Sequence, residues 1–372
     1  MRALERAAAF DAACPTPAPA LRPLPLPDRD TEAGLSGMTA TGMLHGYLRH
    51  RAGPPRAAVW RDGRVVVLER RSPSDTIAAN DADQVVGAYT RHPGEAPRAV
   101  LWSGGKRVDL NPPGAFESTA VAIARRGEVL VVSHRLGADP TSTASDLSLW
   151  RSGRWTTLVA DDRFDDPVLG PACDVAVRVA DRTLLFPRGR GPGIRLPGLG
   201  GDPAPRPVAV NAAGEVLLAC ADAGRGRVAL WRDGGLTDIG SLGGGDTRLP
   251  ATGARTGPWL NATGEVTGVS ETRDGRYHAF RWRRGTMTDL TPTAAHSTSH
   301  GVNERGDIAG EVPAAGGPGS RAVLWHREGA TDLGWLTPGH LTSPTALHPR
   351  LPVVAGVDHS PDGSTTTLFT SA

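Results

Sequence analysis

Six tryptophans recur along the chain, and each is followed eight residues later by a large aliphatic residue. The pairs are Trp60/Leu68, Trp102/Leu110, Trp150/Leu158, Trp231/Ile239, Trp282/Leu290 and Trp325/Leu333. A period of about 40–50 residues built from short apolar strands is typical of a β-propeller or a related radial array. The repeat therefore predicts an all-β chain in which each copy is one small sheet packed on its neighbours.

Two turn motifs separate the strands within a copy. An Asn-x-x-Gly turn occurs at Asn211/Gly214, Asn261/Gly264 and Asn303/Gly306, with weaker copies at Asn80/Asp83 and Thr39/Gly42. A Trp-x-x-Gly turn follows the third strand of most copies, as at Trp60/Gly63, Trp102/Gly105, Trp150/Gly153, Trp231/Gly234 and Trp282/Gly285. Because Asn and Gly adopt positive φ at little steric cost, both motifs predict tight hairpin connections.

The recurring tryptophans are predicted to form the core between blades. A large aromatic side chain at the same strand position in successive sheets fills the wedge between them and buries much apolar area. We expect this for Trp102, Trp231 and Trp282 in particular. The alternative is that these rings form a platform for stacking a sugar.

Counting the copies predicts a single β-propeller of about eight blades, alternatively seven, each with up to four antiparallel strands. The blades are expected near 33–69, 75–110, 117–159, 170–199, 206–242, 256–291, 297–336 and 343–372. The fourth blade is degenerate: Arg188 stands where the tryptophan is expected, and the shorter stretch predicts a missing strand. The eighth stops one strand short. Residues 1–32 form a Pro-rich N-terminal arm whose segment 21–27 is a candidate for the missing outer strand, because an open edge invites aggregation. Residues 33–372 form the propeller domain.

One copy resembles a known repeat. The phrase HAFRWRRGTMTDL, from His278 to Leu290, is similar to the HAF repeat, named for its His-Ala-Phe, and LTDIGSLGG at 236–244 is similar to that repeat's continuation. The resemblance implies a bacterial β-propeller-like domain of the kind described as a probable extracellular repeat, and it implies no catalytic motif. Only one copy keeps the His, which suggests a specialised single-domain descendant.

Composition narrows the possible function classes. The net charge of +2 is too small for a nucleic-acid-binding surface. Basic residues are 40 Arg against the single Lys106, which reflects a GC-rich genome or, alternatively, a preference for binding phosphate or carboxylate. Cys14, Cys173 and Cys220 are too few and too widely spaced for a disulfide framework or a structural zinc site. Buried thiols are expected.

Membrane insertion and export are not expected from the sequence. No run of about eighteen apolar residues is present, so no transmembrane helix is predicted. Charged residues interrupt the N-terminal apolar stretch that a signal peptide would need. A cytoplasmic location is therefore expected, and secretion is the alternative that the family resemblance implies.

Candidate site residues are those expected at the axial mouth, where the connections that enter the innermost strands converge. Candidate catalytic residues there are His296, His300, Glu117 and Asp174, and candidate ligand-binding residues are Arg206, Arg248, Arg255 and His340. Residues four apart on a strand point to the same face, so both imidazoles of the HSTSH segment at 296–300 are expected to face the channel. No cofactor is predicted. A divalent metal at His296 and His300, with a third ligand from another blade, and a simple water-filled pore are the alternatives.

Two other polar segments have weaker interpretations. The acidic stretch 161–166 is expected to be a solvated turn, although a calcium site is the alternative. The Gly-rich stretch 243–246 leads into no helix, so it does not predict a phosphate loop.

These observations predict a binding module that presents a ligand site at the axial mouth to a small molecule or a partner protein. The first alternative is an enzyme, a hydrolase, lyase or cyclase of specialised metabolism, that uses acid–base or metal chemistry at the same mouth; this rests on analogy between folds. The second alternative is a cell-surface repeat protein. We expect a monomer that binds neither nucleic acid nor membrane.

Overall fold

The computed structural model describes residues 21–28, 31–50, 53–92, 94–137, 142–160, 162–222, 224–250, 258–314, 318–363 and 365–371. Nearly all regular structure in these ranges is β-strand, arranged as four-stranded antiparallel units that follow one another around a ring. The all-β propeller is therefore confirmed. Among the described residues, no helix has the length and apolar character needed to cross a bilayer.

The first four blades follow a two-residue N-terminal strand, β1 (Arg22–Pro23). Blade 1 contains β2 (Thr31–Met38), β3 (Leu44–His50), β4 (Arg56–Arg61) and β5 (Arg64–Val67); blade 2 contains β6 (Ser74–Ala79), β7 (Val85–Tyr89), β8 (Arg98–Ser103) and β9 (Lys106–Asp109). Blade 3 contains β10 (Glu117–Ile123), β11 (Val129–Leu136), β12 (Thr143–Arg151) and β13 (Arg154–Val159); blade 4 contains β14 (Phe164–Leu169), β15 (Val175–Val179), β16 (Arg182–Phe186) and β17 (Ile194–Leu196). Two 3₁₀ turns, Pro187–Gly189 and Leu199–Gly201, lie on either side of β17.

The other four blades complete the ring. Blade 5 contains β18 (Arg206–Val210), β19 (Val216–Asp222), β20 (Arg225–Arg232) and β21 (Gly235–Asp238); blade 6 contains β22 (Gly243–Arg248), β23 (Val266–Thr272), β24 (Tyr277–Arg283) and β25 (Thr286–Asp289). Blade 7 contains β26 (Thr298–Val302), β27 (Ile308–Pro313), β28 (Ser320–Trp325) and β29 (Ala330–Gly334); blade 8 contains β30 (Leu341–Leu347), β31 (Val354–His359) and β32 (Thr366–Thr370). A single parallel bridge between Ser320 and Leu341 joins blades 7 and 8 into one sheet.

Both ends of the chain build blade 8. Strand β1 pairs with β32, with Arg22 opposite Thr370, and so takes the place of a fourth strand. The indole Nε1 of Trp60 donates to the carbonyl of Pro25 at 3.0 Å, and Leu24 and Leu26 pack against the core between blades 8 and 1. Because β2 contacts β30 and β32, blade 1 lies against blade 8 and the ring is closed.

The first strands of most neighbouring blades contact one another, as β2, β6, β10, β14 and β18 do in turn, so the first strand of a blade lies nearest the axis. We call the end where the chain enters these inner strands the entry end. The opposite end, which carries the Asn-x-x-Gly and Trp-x-x-Gly turns, is the turn end. Residues that precede or begin an inner strand therefore lie at the entry end.

The tryptophans pack between blades. Trp282 is 5% exposed and packs against Val228 and Leu230 of the preceding blade, and Trp102 is buried in the same way. This part of the prediction is confirmed, whereas Trp231 is only half-buried. Burial at this position thus differs between blades.

Blade 4 corrects the sequence analysis. It has all four strands, so no strand is missing, although β17 has only three residues. The tryptophan position is occupied by Phe186, which pairs with Val175 as Trp150 pairs with Val129. Arg188 lies beyond the strand. The aromatic residue was overlooked because the β15–β16 hairpin is short and shifts it relative to the other copies.

Blade 6 also begins earlier than expected, at Gly243 rather than near residue 256. The Gly-rich stretch is its inner strand, and Thr247 pairs with Ser270. The described residues before the Asn turn pair with β23 again at Leu260. An insertion therefore interrupts the inner strand of this blade.

The asparagine that recurs in the Asn-x-x-Gly turns has a different physical role from the one expected. Glycines at its fourth position adopt positive φ, as at Gly264 (φ 77°), but the asparagines do not. The side-chain oxygen of Asn261 accepts the backbone N–H groups of Thr263 and Glu265, while its Nδ2 donates to the carbonyl of Asn303 in the next blade at 2.9 Å. Asn211 makes the same bond to Asn261. The asparagines thus connect successive blades.

An aspartate that ends the fourth strand of a blade, such as Asp289 in the segment TDL at 288–290, also has a structural role. In blade 6, Asp289 accepts the N–H of Thr291 with one oxygen and contacts Nδ1 of His278 at 2.8 Å with the other. In blade 5, Asp238 likewise accepts the N–H of Gly240 and pairs with Arg227. The buried His of the HAF phrase therefore holds the outer strand in place.

Candidate functional site

The structure distributes the eight candidate residues over both ends of the ring. Glu117 and Arg206 are the first residues of β10 and β18, so they lie at the entry end as expected. Asp174 does not: it precedes β15 in the turn that follows β14, at the turn end. The expectation for Asp174 was wrong because the inner strand of blade 4 lies earlier in the sequence than predicted.

The arginines of blade 6 also differ from expectation. Arg248 is the last residue of β22 rather than part of an entry loop, and its guanidinium pairs with the buried carboxylate of Asp246 at 2.7 Å. It also lies 5.7 Å from the centre of the Tyr277 ring. Arg255 lies outside the described residues. Arg248 is therefore engaged in the fold.

The two histidines of the HSTSH segment have different environments. His296 is exposed in the loop before β26, whereas His300 is 7% exposed on that strand. His300 is the extra residue of a β-bulge between Ser299 and Gly301. The bulge breaks the alternation on which the same-face expectation depended. The hypothesis that both imidazoles form one site is therefore not supported by their burial.

His300 has an unusual environment for a buried polar side chain. Neither ring nitrogen has a hydrogen-bond partner among the described residues, and Nε2 lies 3.7 Å from Oε1 of Glu311. Buried polar groups in folded proteins nearly always have a partner. The Nδ1 of His300 is therefore available for a further polar contact, while Nε2 faces Glu311.

Glu311 connects His300 to blade 8. It lies on β27 and accepts hydrogen bonds from the hydroxyls of Ser320, at 3.1 Å, and of Ser343. Burial acts to raise the pKa of Glu311, but the side chains of His300, Ser343 and Ser320 outweigh it, so the pKa lies below the ordinary value. Glu311 is therefore a carboxylate at neutral pH.

A second histidine–carboxylate pair lies beside the first. The Nδ1 of His340 lies 2.8 Å from Oδ2 of Asp358, whose Oδ1 accepts the Thr342 hydroxyl at 2.6 Å. The Asp358 side chain is 1% exposed and that of His340 is 22% exposed. The backbone N–H of Ser320 donates to the carbonyl of His340 at 3.2 Å, which links the two pairs.

We call the set of Ser320, His300, Glu311, His340 and Asp358 the blade 7–8 cluster. Of the candidate residues that the structure describes, His300 and His340 are brought together in this way. Glu311 and Asp358 were not identified from the sequence because they lie on the second strands of their blades, outside the entry loops. Both could have been found from strand pairing, because each lies opposite the beginning of an inner strand, as Glu311 lies opposite Thr298.

A cavity of about 280 Å³ has a mixed lining near the axis. Apolar inner-strand residues such as Ile77, Val121 and Leu347 line it together with polar ones such as Ser36 and Thr345. Among the described residues, no group of three His, Cys, Asp or Glu side chains is arranged to hold a metal ion.

Two carboxylates of the acidic stretch 161–166 have a basic partner, since Asp165 and Asp166 both contact Arg178. Cys173 and Cys220 are free, buried thiols.

Comparison with solved structures supports the fold. The chain is similar to a puromycin-hydrolyzing peptidase of Mycobacterium tuberculosis (TM-score 0.55, 15% identity, 92% of this chain and 61% of that one) and to dipeptidyl peptidase 4 of Porphyromonas gingivalis (0.55, 13%, 89% and 57%). It is also similar to the β-propeller domain of the trilobed protease of Pyrococcus furiosus (0.50, 7%, 81% and 95%). The chain thus spans about three fifths of the two peptidases. At these identities the likeness concerns the fold alone.

The sequence comparisons add no family. No family model matches the chain, and no curated protein matches it.

Proposed function

We propose that this protein is a ligand-binding module and that the blade 7–8 cluster holds a small polar molecule at the entry end of the propeller. The observation that carries the proposal is His300, a buried imidazole without a hydrogen-bond partner among the described residues, beside an ionised carboxylate. Glu311 and Asp358 are acceptors, so the ligand is expected to offer amine or hydroxyl donors. The partly exposed His340 marks the side from which the ligand enters.

The proposal is tested by a thermal-shift screen of amines, amino acids and sugars, followed by calorimetric titration of each compound that raises the melting temperature. Glu311→Gln and His340→Ala are each expected to weaken binding at least about tenfold, because hydrogen bonds to charged groups contribute about 1.5–3 kcal/mol. Glu271→Gln, which changes the same charge on β23 of blade 6, serves as the control. A ligand that binds both cluster variants as tightly as the original protein would contradict the site.

A hydrolytic enzyme is the second candidate function, and the observation that favours it is the pair of His340 and Asp358. The buried carboxylate contacts Nδ1 and orients the ring, and Nε2 has no hydrogen-bond partner among the described residues. An imidazole held in this way acts as a general base toward water. No Ser, Thr or Cys side chain among the described residues is hydrogen-bonded to His340, so a covalent mechanism is not supported.

Because the similar structures are named as peptidases, the substrates to test first are aminoacyl and dipeptidyl p-nitroanilides. If the pair is catalytic, His340→Ala lowers turnover about 10²–10⁴-fold, the usual contribution of a general base. His359→Ala, at the end of the same strand as Asp358, is the matched control. Turnover that survives His340→Ala would exclude this role, and the absence of turnover leaves the binding function as the better account.

A further inference from the structure

The turn end of the propeller carries a repeated ion pair. In three successive blades, the residue after the tryptophan contacts the acid that follows the Asn-x-x-Gly turn of the same blade. The pairs are Arg232–Glu215, Arg283–Glu265 and His326–Asp307. In these three blades, the buried carboxylate after the turn therefore has a basic side chain of its own blade beside it.

At the border of blades 3 and 4 this pairing fails. Arg151 follows Trp150 and Glu128 follows the turn, so the pattern predicts an ion pair between them. Instead, Nη2 of Arg151 donates to Sγ of Cys173 at 3.2 Å and to the carbonyl oxygen of Arg188, both in blade 4. Burial raises the pKa of the Cys173 thiol, so this side chain is neutral at pH 7 and does not balance Arg151.

A cavity of about 590 Å³ lies at this border and is strongly cationic. Its charged lining consists of one glutamate, Glu128, and five arginines, Arg125, Arg126, Arg151, Arg188 and Arg190. Within the described part of the chain, none of the five guanidinium groups has a carboxylate at ion-pair distance. The Asp174 carboxylate lies nearby, and its Oδ1 accepts the backbone N–H of Arg188 at 2.8 Å. Among the described residues, the lining of the cavity therefore carries five arginines against one glutamate.

Two non-glycine residues beside the cavity have a positive φ. Cys173 occupies the fourth position of its turn with φ 75°, where Gly214, Gly264 and Gly306 stand in blades 5, 6 and 7. Arg188 also has positive φ, 52°. Non-glycine residues adopt this conformation at an energetic cost, and such strain concentrates at functional sites. Both residues line the cavity.

We propose that this cavity binds a small molecule that carries at least two anionic groups, phosphate or carboxylate. Guanidinium groups bind both anions through paired hydrogen bonds, and an entering anion would relieve the repulsion among unpaired arginines. The cavity has the size of a small-molecule site, for which volumes are about 300–1,000 Å³. No aromatic ring is among the residues that line it, so the site recognises charge and does not stack a base.

Isothermal titration with inorganic pyrophosphate and with citrate, at low salt, tests this inference. The double variant Arg188→Gln/Arg190→Gln replaces two exposed cavity arginines and should weaken binding at least about tenfold, since each removes charge-assisted hydrogen bonds. Arg125→Gln/Arg126→Gln, on the blade 3 side, should have the same effect. The matched control is Arg182→Gln/Arg195→Gln, two exposed arginines of blade 4 outside the cavity.

The outcomes separate the possible explanations. Binding that is lost in both cavity variants and kept in the control supports the site, and the tighter of the two probes identifies phosphate or carboxylate as the preferred group. If neither probe binds, or if the control loses as much affinity as the cavity variants, the proposal is overturned. Melting temperatures close to that of the original protein establish that the variants fold. Because the cavity lies at the turn end, its failure is distinguishable from failure of the blade 7–8 cluster.

Discussion

Blades 5 to 7 and the border of blades 3 and 4 use the same repeat with opposite results. In blades 5 to 7, the turn asparagine bonds to the next blade, the acid after the turn contacts a basic side chain, and glycine takes the position with positive φ. At the border, Gly170 replaces the asparagine and Cys173 replaces the glycine. Arg151 bonds to Cys173 and not to Glu128, the acid of its own blade.

This difference distinguishes charged side chains that stabilise the fold from charged side chains that are available to a ligand. Where the repeat is intact, the fold itself accounts for the charged side chains that it buries. Where the repeat fails, Arg151 bonds to a thiol and a carbonyl and not to a carboxylate, and the described lining of the cavity holds five arginines against one glutamate. A ligand site in a repeat protein is therefore to be sought where a repeated contact is broken, and substitutions in the two regions test this view.

The largest expected effect is on the tryptophan position of the regular blades. Trp282→Ala removes a ring that is 5% exposed and should lower the free energy of unfolding by about 3–5 kcal/mol. Trp231→Ala, in the blade that packs on blade 4, should cost only about 1–3 kcal/mol, because this ring is half-buried. Urea denaturation measures both. Equal costs would mean that irregularity in blade 4 does not loosen its contact with blade 5.

Removal of the N-terminal arm tests how much β1 contributes to the stability of blade 8, which is built from both ends of the chain. Deletion of residues 1–30 removes β1, the contacts of Leu24 and Leu26 and the acceptor of the Trp60 indole. We expect a loss of about 2–4 kcal/mol, in line with the burial of two leucine side chains and one hydrogen bond. Deletion of residues 1–20 is the control. An unchanged melting temperature for the longer deletion would show that β1 contributes nothing to closure.

The asparagine bonds between blades come next in size. Asn261→Ala should destabilise the protein by about 1–3 kcal/mol, because it leaves the buried carbonyl of Asn303 and two backbone N–H groups without their partner. Asn111→Ala provides a comparison, because the Asn111 side chain bonds to the nearby carbonyl of Ala115 and hydroxyl of Ser118 and not to the Asn turn of another blade. If Asn261→Ala is tolerated without loss, the turn and not the contact between blades explains the repeat.

An exchange at the glycine position compares the two regions directly. Gly214→Cys places a side chain at φ 78° and should cost about 1–2 kcal/mol. Cys173→Gly should change stability by less than about 1 kcal/mol, because relief of the backbone at φ 75° offsets the lost burial of the thiol. Thermal unfolding of both variants decides the matter, and a large loss for Cys173→Gly would assign the thiol a structural role.

The smallest effect concerns pH. The folded-state pKa of Glu311 lies below its unfolded value of about 4.5, so its contribution to stability is present above that value and is lost as the pH falls through the lower, folded-state pKa. Melting temperatures between about pH 3 and 7 should therefore decline less steeply below pH 4.5 for Glu311→Gln than for the original protein. Parallel curves would show that Glu311 is not stabilised by the cluster.

Much of the fold could be predicted because its signal is local. The spacing of Trp282 and Leu290 and the turn at Asn261 recur within one blade, and hydrophobic period and turn chemistry act over a few residues. The candidate site was predicted less well. The bulge at His300 and the early start of blade 4, which places Asp174 at the turn end, both depend on how strands pair.

The sequence by itself determined the all-β propeller, the eight repeated units and the aromatic core, because each follows from a pattern that is complete within one copy. Only the tertiary structure decided which polar side chains find a partner within the protein. Whether Arg151 meets Glu128 or Cys173, and whether His300 finds an acceptor, depends on side chains supplied by another strand or by the neighbouring blade. Neutralisation of a charge depends on the folded structure, since its partner is close in space but lies on a different strand.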